Sequence, residues 1–79
     1  MKMMELEITV FKSTGKFYTN CIIETAEIPI FDDRFKACIF VNLPVNTISN
    51  DEYVIVRDTG KYDTQFHQRL FTGKELKSK

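Results

Sequence analysis

The chain has 79 residues, with 11 Lys and Arg against 11 Asp and Glu, so its formal net charge is zero. That length leaves room for one domain, 1–79, and the charge balance supplies no general attraction for nucleic acid or anionic lipid. No apolar run approaches the ~18 residues of a spanning helix, which excludes a helical membrane protein.

Met4 to Phe11 alternates, with Leu6, Ile8 and Val10 on one face and Glu5, Glu7 and Thr9 on the other. This is the pattern of a half-buried strand. Phe11 breaks the alternation at its end. Ser13 to Lys16 supplies a turn in which Gly15 provides a positive φ. The β-branched and aromatic run from Phe17 to Ala26 predicts the return strand, with Phe17, Cys21 and Ile23 inward and Tyr18, Asn20, Ile22 and Glu24 outward.

Pro29 closes this hairpin, because proline cannot donate to a ladder. Phe31 to Leu43 is the segment whose apolar residues fall at helical spacing, namely Phe31, Phe35, Cys38, Ile39 and Leu43. Asp32 or Asp33 can cap that helix, where a carboxylate also suits its dipole. Pro44 stops it, since the residue before proline avoids the helical region. A strand over Lys36 to Asn42 is the rival reading. Val45 to Asn50 reads as a polar connector. Asp51 to Asp58 is the strongest strand pattern of the chain, and Gln65 to Phe71 is its return strand, with Phe66 and Leu70 inward. Gly73 to Lys79 reads as a frayed, charged tail.

The expected fold class is therefore α+β, in the order β-β-α-β-β. An antiparallel-rich, four-stranded sheet would carry one helix, about residues 31–43, on one face. Its other face is left bare, with Glu5, Glu7, Tyr18, Ile22, His67, Arg69 and Phe71 as the residues expected on it.

All three glycines sit in the tripeptide Thr-Gly-Lys, at Gly15, Gly60 and Gly73. A phosphate loop would need a glycine at Val10 and a hydroxyl residue at Phe17, so the repeats read as turns. His67 is the single histidine and has no converging partners in the sequence for acid–base or metal chemistry. Cys21 and Cys38 fit no metal spacing and no disulfide framework, and read as buried thiols in a reducing cytosol. With no nucleophile–base pair, cofactor motif or metal set, the chain is expected to be no enzyme, to need no cofactor and to act in the cytoplasm.

Tyr53, Arg57, Tyr62, His67 and Arg69 gather on the closing hairpin and are the candidate contact residues. Tyr and Arg are the usual anchors of protein interfaces, so a protein partner is the first reading. Stacking rings beside cations would also suit a nucleic acid, although Glu52, Asp58 and Asp63 share the hairpin. A small-ligand-sequestering protein and a structural homo-oligomer, with homodimerisation through an uncovered face or edge, complete the set.

The hairpin EYVIVRDTGKYDTQFHQRLF, with its Tyr-Val-Ile-Val strand followed by aromatic-His-x-x-Leu-aromatic from Phe66 to Phe71, resembles the ends of small proteins encoded by phages and mobile elements of low-GC Gram-positive bacteria. The resemblance covers about twenty residues at the end of the chain. It implies an accessory protein that binds and modulates or inhibits a host factor in the host cytoplasm, as anti-defence inhibitors do.

Overall fold

The computed structural model describes residues 2–29, 32–45, 47–63 and 68–78. Four strands form one antiparallel sheet in the order β2-β1-β3-β4. They are β1 (Met3–Phe11), β2 (Phe17–Ala26), β3 (Tyr53–Asp58) and β4 (Arg69–Thr72). Helix α1 (Asp33–Val41) joins β2 to β3, and a one-turn helix α2 (Gly73–Lys77) follows β4. The α+β class and the four-stranded sheet are as the sequence predicts.

Strands β2 and β3 both run antiparallel to β1 and flank it, so they are parallel to one another. Their connection must cross over β1, and α1 makes that crossing. A helix is the usual way to satisfy backbone groups along such a path. Beneath it the alternation of β1 is realised in full: Met4, Leu6, Ile8 and Val10 are buried. Val54 and Val56 from β3, Phe71 from β4 and Phe35 and Ile39 from α1 complete the centre of the core.

The helix resolves the helix-or-strand alternative for 36–42. Asp32 is its N-cap, its carboxylate accepting from the Arg34 N–H at 2.8 Å. Asn42 ends it, donating its own N–H to the carbonyls of Cys38 and Ile39. The helix is thus shorter than 31–43. Phe31 lies outside the described residues, and Leu43 packs against the core from beyond the helix.

Three features differ from those read in sequence, two of them inward–outward assignments. The register shifts between Val10 and Phe11, so that Phe11 opposes Phe17 while Val10 opposes Thr19. The extra residue turns Phe17 to the uncovered face, where its ring meets that of Phe11 edge-on at 6.3 Å. A bulge reverses every side chain beyond it. In β4 the faces are reversed as well: Phe71 opposes Val54 in the core and Leu70 opposes Ile55 outside. The buried valines of β3 take the phenylalanine ring rather than the leucine against them. Phe66 lies outside the described residues.

The third difference is the tail. Gly73–Lys77 is helical rather than frayed, and Leu76 is buried. The Thr72 hydroxyl caps it by accepting from the Glu75 N–H, and Lys36 donates to the carbonyls of Glu75 and Ser78 at 3.5 Å. The connector also contributes more than polar chain, because Ile48 is buried in the core.

Candidate functional site

On the face of the sheet opposite α1, the strand registers align side chains into rows. Phe17, Phe11 and Tyr53 form the first row, and Asn20, Thr9, Ile55 and Leu70 the second. Ile22, Glu7 and Arg57 form the third. At the far end stand Glu24 and Glu5, with Thr59 donating its N–H to the Glu5 carbonyl. The face therefore grades from aromatic at the β1–β2 turn to acidic at the β3–β4 turn.

The apolar members are well exposed: Phe17 60%, Ile22 57% and Leu70 54%. Tyr53 is also exposed on this face, and Tyr18, exposed at the bulge, lies under the Lys12 ammonium at 4.4 Å. Isolated exposed hydrophobics are ordinary, whereas here several share one face of the sheet.

The acidic end is internally neutralised. Glu5 and Glu24 are cross-strand neighbours, an arrangement of like charges that costs stability unless a cation intervenes. Lys61 is that cation, 2.7 Å from Glu24 and 3.5 Å from Glu5. Tyr62 donates its hydroxyl to the second Glu24 oxygen at 2.8 Å, and Thr59 donates to Glu5 at 2.6 Å. Gly60, at φ 81°, makes the turn that brings Lys61 and Tyr62 over the strands, and the Asp58 carboxylate accepts its N–H at 2.8 Å. In the next row Arg57 binds its cross-strand neighbour Glu7, both Nε and a terminal nitrogen lying 3.0 Å from the same oxygen.

These contacts set the protonation states. The Lys61 and Tyr62 hydrogen bonds hold the Glu24 carboxyl below its ordinary value. The same carboxylate, accepting from the phenol, pushes Tyr62 above its ordinary value. Both groups move away from neutrality, so neither is poised to exchange a proton near pH 7. Glu24, being depressed, favours the folded state above the ordinary carboxylate range and loses that contribution as pH falls through its lowered pKa. Glu24→Gln should bring the Tyr62 phenol back down toward an ordinary tyrosine. An ultraviolet difference titration, with Tyr62→Phe identifying the signal, reads this directly, and a Tyr62 midpoint indifferent to Glu24→Gln would disprove the contact.

The five residues singled out on the closing hairpin are thus divided. Tyr53 and Arg57 stand on the uncovered face, and Tyr62 caps its acidic end. Arg69 does not join them. It opposes Val56 on the helix side, half-buried, with its guanidinium 4.3 Å over the Phe71 ring and 4.0 Å from Glu75. The β4 register that buries Phe71 carries Arg69 to the same side. His67 lies outside the described residues. Of the residues expected on the bare face, Glu5, Glu7 and Ile22 are there, while Phe71 is in the core. Phe17 and Leu70 were assigned inward by alternation, which holds only where no bulge or parity choice intervenes. The two Thr-Gly-Lys turns at Gly15 and Gly60 lie at opposite ends of the sheet, because β1 runs from one to the other.

On the helix side, a groove of about 650 Å³ runs between α1 and α2 over Ala37, Phe40, Val41 and Leu76, with Lys36 and Lys77 at its margins. Cys21 of β2 and Cys38 of α1 are free, half-buried thiols that both meet Asn42 at the end of the helix. Burial pushes the Cys21 thiol above its ordinary value, which makes it a weak nucleophile. Among the described residues no three His, Cys, Asp or Glu side chains gather as metal ligands, and no described helix is long and apolar enough to cross a membrane. Compared with known protein families, curated proteins and solved structures, the chain matches none.

Proposed function

We propose that this chain is a non-enzymatic binding protein that lays its uncovered sheet face on the surface of another protein in the cytoplasm and acts by occluding it. The observation that carries this reading is the row structure of that face. Phe17, Ile22, Tyr53 and Leu70 present apolar contact area that no described element of the chain covers. Arg57 and the Lys61–Tyr62 turn form a polar rim already paired within the molecule. Apolar area bordered at one end by polar groups that are already satisfied suits a protein interface.

The same pairing weighs against a nucleic-acid partner. Arg57 and Lys61, the cations toward the acidic end of this face, are bound to Glu7, Glu24 and Glu5, and a phosphate would have to displace carboxylates to reach them. The modulation of a host factor implied by the resemblance would be the same occlusion, with a host protein underneath.

The test is affinity capture by the tagged chain from a lysate of a low-GC Gram-positive bacterium, with nuclease and moderate salt, in parallel with Leu70→Glu. A protein recovered in stoichiometric amount and held at least about tenfold more weakly by Leu70→Glu supports the reading. Nucleic acid alone, or a protein retained equally by Leu70→Glu, overturns it.

A further inference from the structure

The two edges of the sheet are not equally defended. Strand β4 is four residues long and leads directly into α2, which shortens the edge it offers. Strand β2 is ten residues long, and no described strand pairs with its outer side. Natural edges are guarded by short length, lysine, proline or covering structure. β2 contains no proline and no lysine, and its one charge is Glu24.

That charge is drawn away from the edge. Glu24 reaches inward to Lys61 and Tyr62, and Asn20 reaches inward to donate to Thr9 at 2.8 Å. The backbone beneath them points the other way. Glu27 donates its N–H to the Lys2 carbonyl at 3.0 Å, in the same register that pairs Met3 with Ala26. Antiparallel pairing alternates the side to which successive residues turn their N–H and C=O groups. The odd-numbered residues of β2 therefore bond to β1, and Asn20, Ile22, Glu24 and Ala26 offer their N–H and C=O groups outward.

The strand is also close to a palindrome. From Thr19 to Thr25 it reads Thr-Asn-Cys-Ile-Ile-Glu-Thr, which is symmetric in polarity about Ile22. We infer that two copies of the chain join through β2, antiparallel about a two-fold axis at Ile22 perpendicular to the sheet. Ile22 meets the partner's Ile22, Asn20 meets the partner's Glu24, and Cys21 meets the partner's Ile23. Each pair lies on one face, because a perpendicular two-fold keeps inner residues inner. A register centred on Glu24 would oppose two carboxylates. One centred on Ile22 sets Glu24 against an amide and closes hydrogen bonds from each outward-turned residue.

The joined sheet is continuous and of twice the width, with both copies of α1 on one side and both uncovered faces on the other. The inference does not require that those faces bind anything.

Sedimentation equilibrium or light scattering of the intact chain tests it, alongside three variants. The wild type should be a dimer. Ile22→Pro removes an outward N–H and fixes φ, which an edge strand tolerates on its open side, and Ile22→Lys places like charges beside one another at the axis. Both should raise the dimer dissociation constant at least about tenfold while circular dichroism stays native. Leu70→Glu, remote from β2, should remain a dimer. A wild-type monomer at several hundred micromolar, or a dimer broken by Leu70→Glu and untouched at Ile22, overturns the inference. In a Cys21→Ser, Cys38→Ser background, Ile22→Cys should cross-link on mild diamide oxidation, since such opposed Cα atoms lie about 5.5 Å apart. Asn20→Cys should not, and the reverse result overturns the register.

Discussion

Phe35→Ala lowers the unfolding free energy by about 3–5 kcal/mol, a large share of the roughly 5–15 kcal/mol that a small domain holds in total. Phe35 is 1% exposed, and its ring lies 6.2 Å from that of Phe71. It therefore links the crossing helix to the edge strand β4. Truncation removes the buried ring from α1 and opens a cavity bordered by Phe71, which β4 was folded to bury. The helix is nine residues long and too short to persist without packing. Losing its principal anchor should loosen the whole crossover. Urea unfolding reads the change as a lower midpoint. An unfolding free energy within 1 kcal/mol of wild type would mean that α1 is held by something other than this ring.

That dependence shows which parts of the molecule were legible in the sequence. Strand β1 was, because it is central and has a single buried face: every even residue from Met4 to Val10 goes inward, as the alternation says. Helix α1 was, because Phe35 and Ile39 fall on one stripe after a capping aspartate. The edges were not. At β2 a bulge reverses Phe17, and no local residue pattern announces it. At β4 the choice between burying Leu70 and burying Phe71 is made by the valines of β3, which are remote in sequence. Arg69 follows the same choice, since its face is that of Phe71.

The candidate site suffered in proportion. Tyr53 and Arg57 fall on the uncovered face because β3 is regular, whereas alternation places Phe17 and Leu70 in the core. The Glu24–Lys61–Tyr62 cluster joins positions 37 and 38 residues apart and depends on a register that sequence periodicity does not specify. The third Thr-Gly-Lys unit was grouped with the other two as a turn. Gly15 and Gly60 do hold positive φ, but Gly73 has another reason to be glycine, and that reason has a large consequence.

Gly73→Ala destabilises the protein by about 1–3 kcal/mol, against the usual gain of up to about 1 kcal/mol when alanine replaces glycine in a helix. A β-carbon at this position would overlap the Ser49 carbonyl and press on the Asn50 Cα at 3.4 Å. Those atoms are backbone and cannot rotate aside. They are also fixed in place: Glu52 donates its N–H to the Ser49 carbonyl at 3.1 Å, and its carboxylate accepts the Ser49 N–H at 2.8 Å. Gly73 itself donates to the Glu52 carbonyl at 2.9 Å, and Lys74 donates to that of Asn50 at 3.2 Å. Relief must come from moving the turn, which carries Ile48 in the core, or from lifting α2, which carries Leu76. Either displacement exposes apolar surface on the helix side and leaves the rows of Phe17, Tyr53 and Leu70 unaltered. Gly73→Ala should therefore melt earlier by calorimetry, yet keep the proposed partner binding and dimerisation at temperatures where it is folded. Unchanged or raised stability would show that the 49–52 turn yields freely, and that the end of the chain is packed less firmly than these contacts imply.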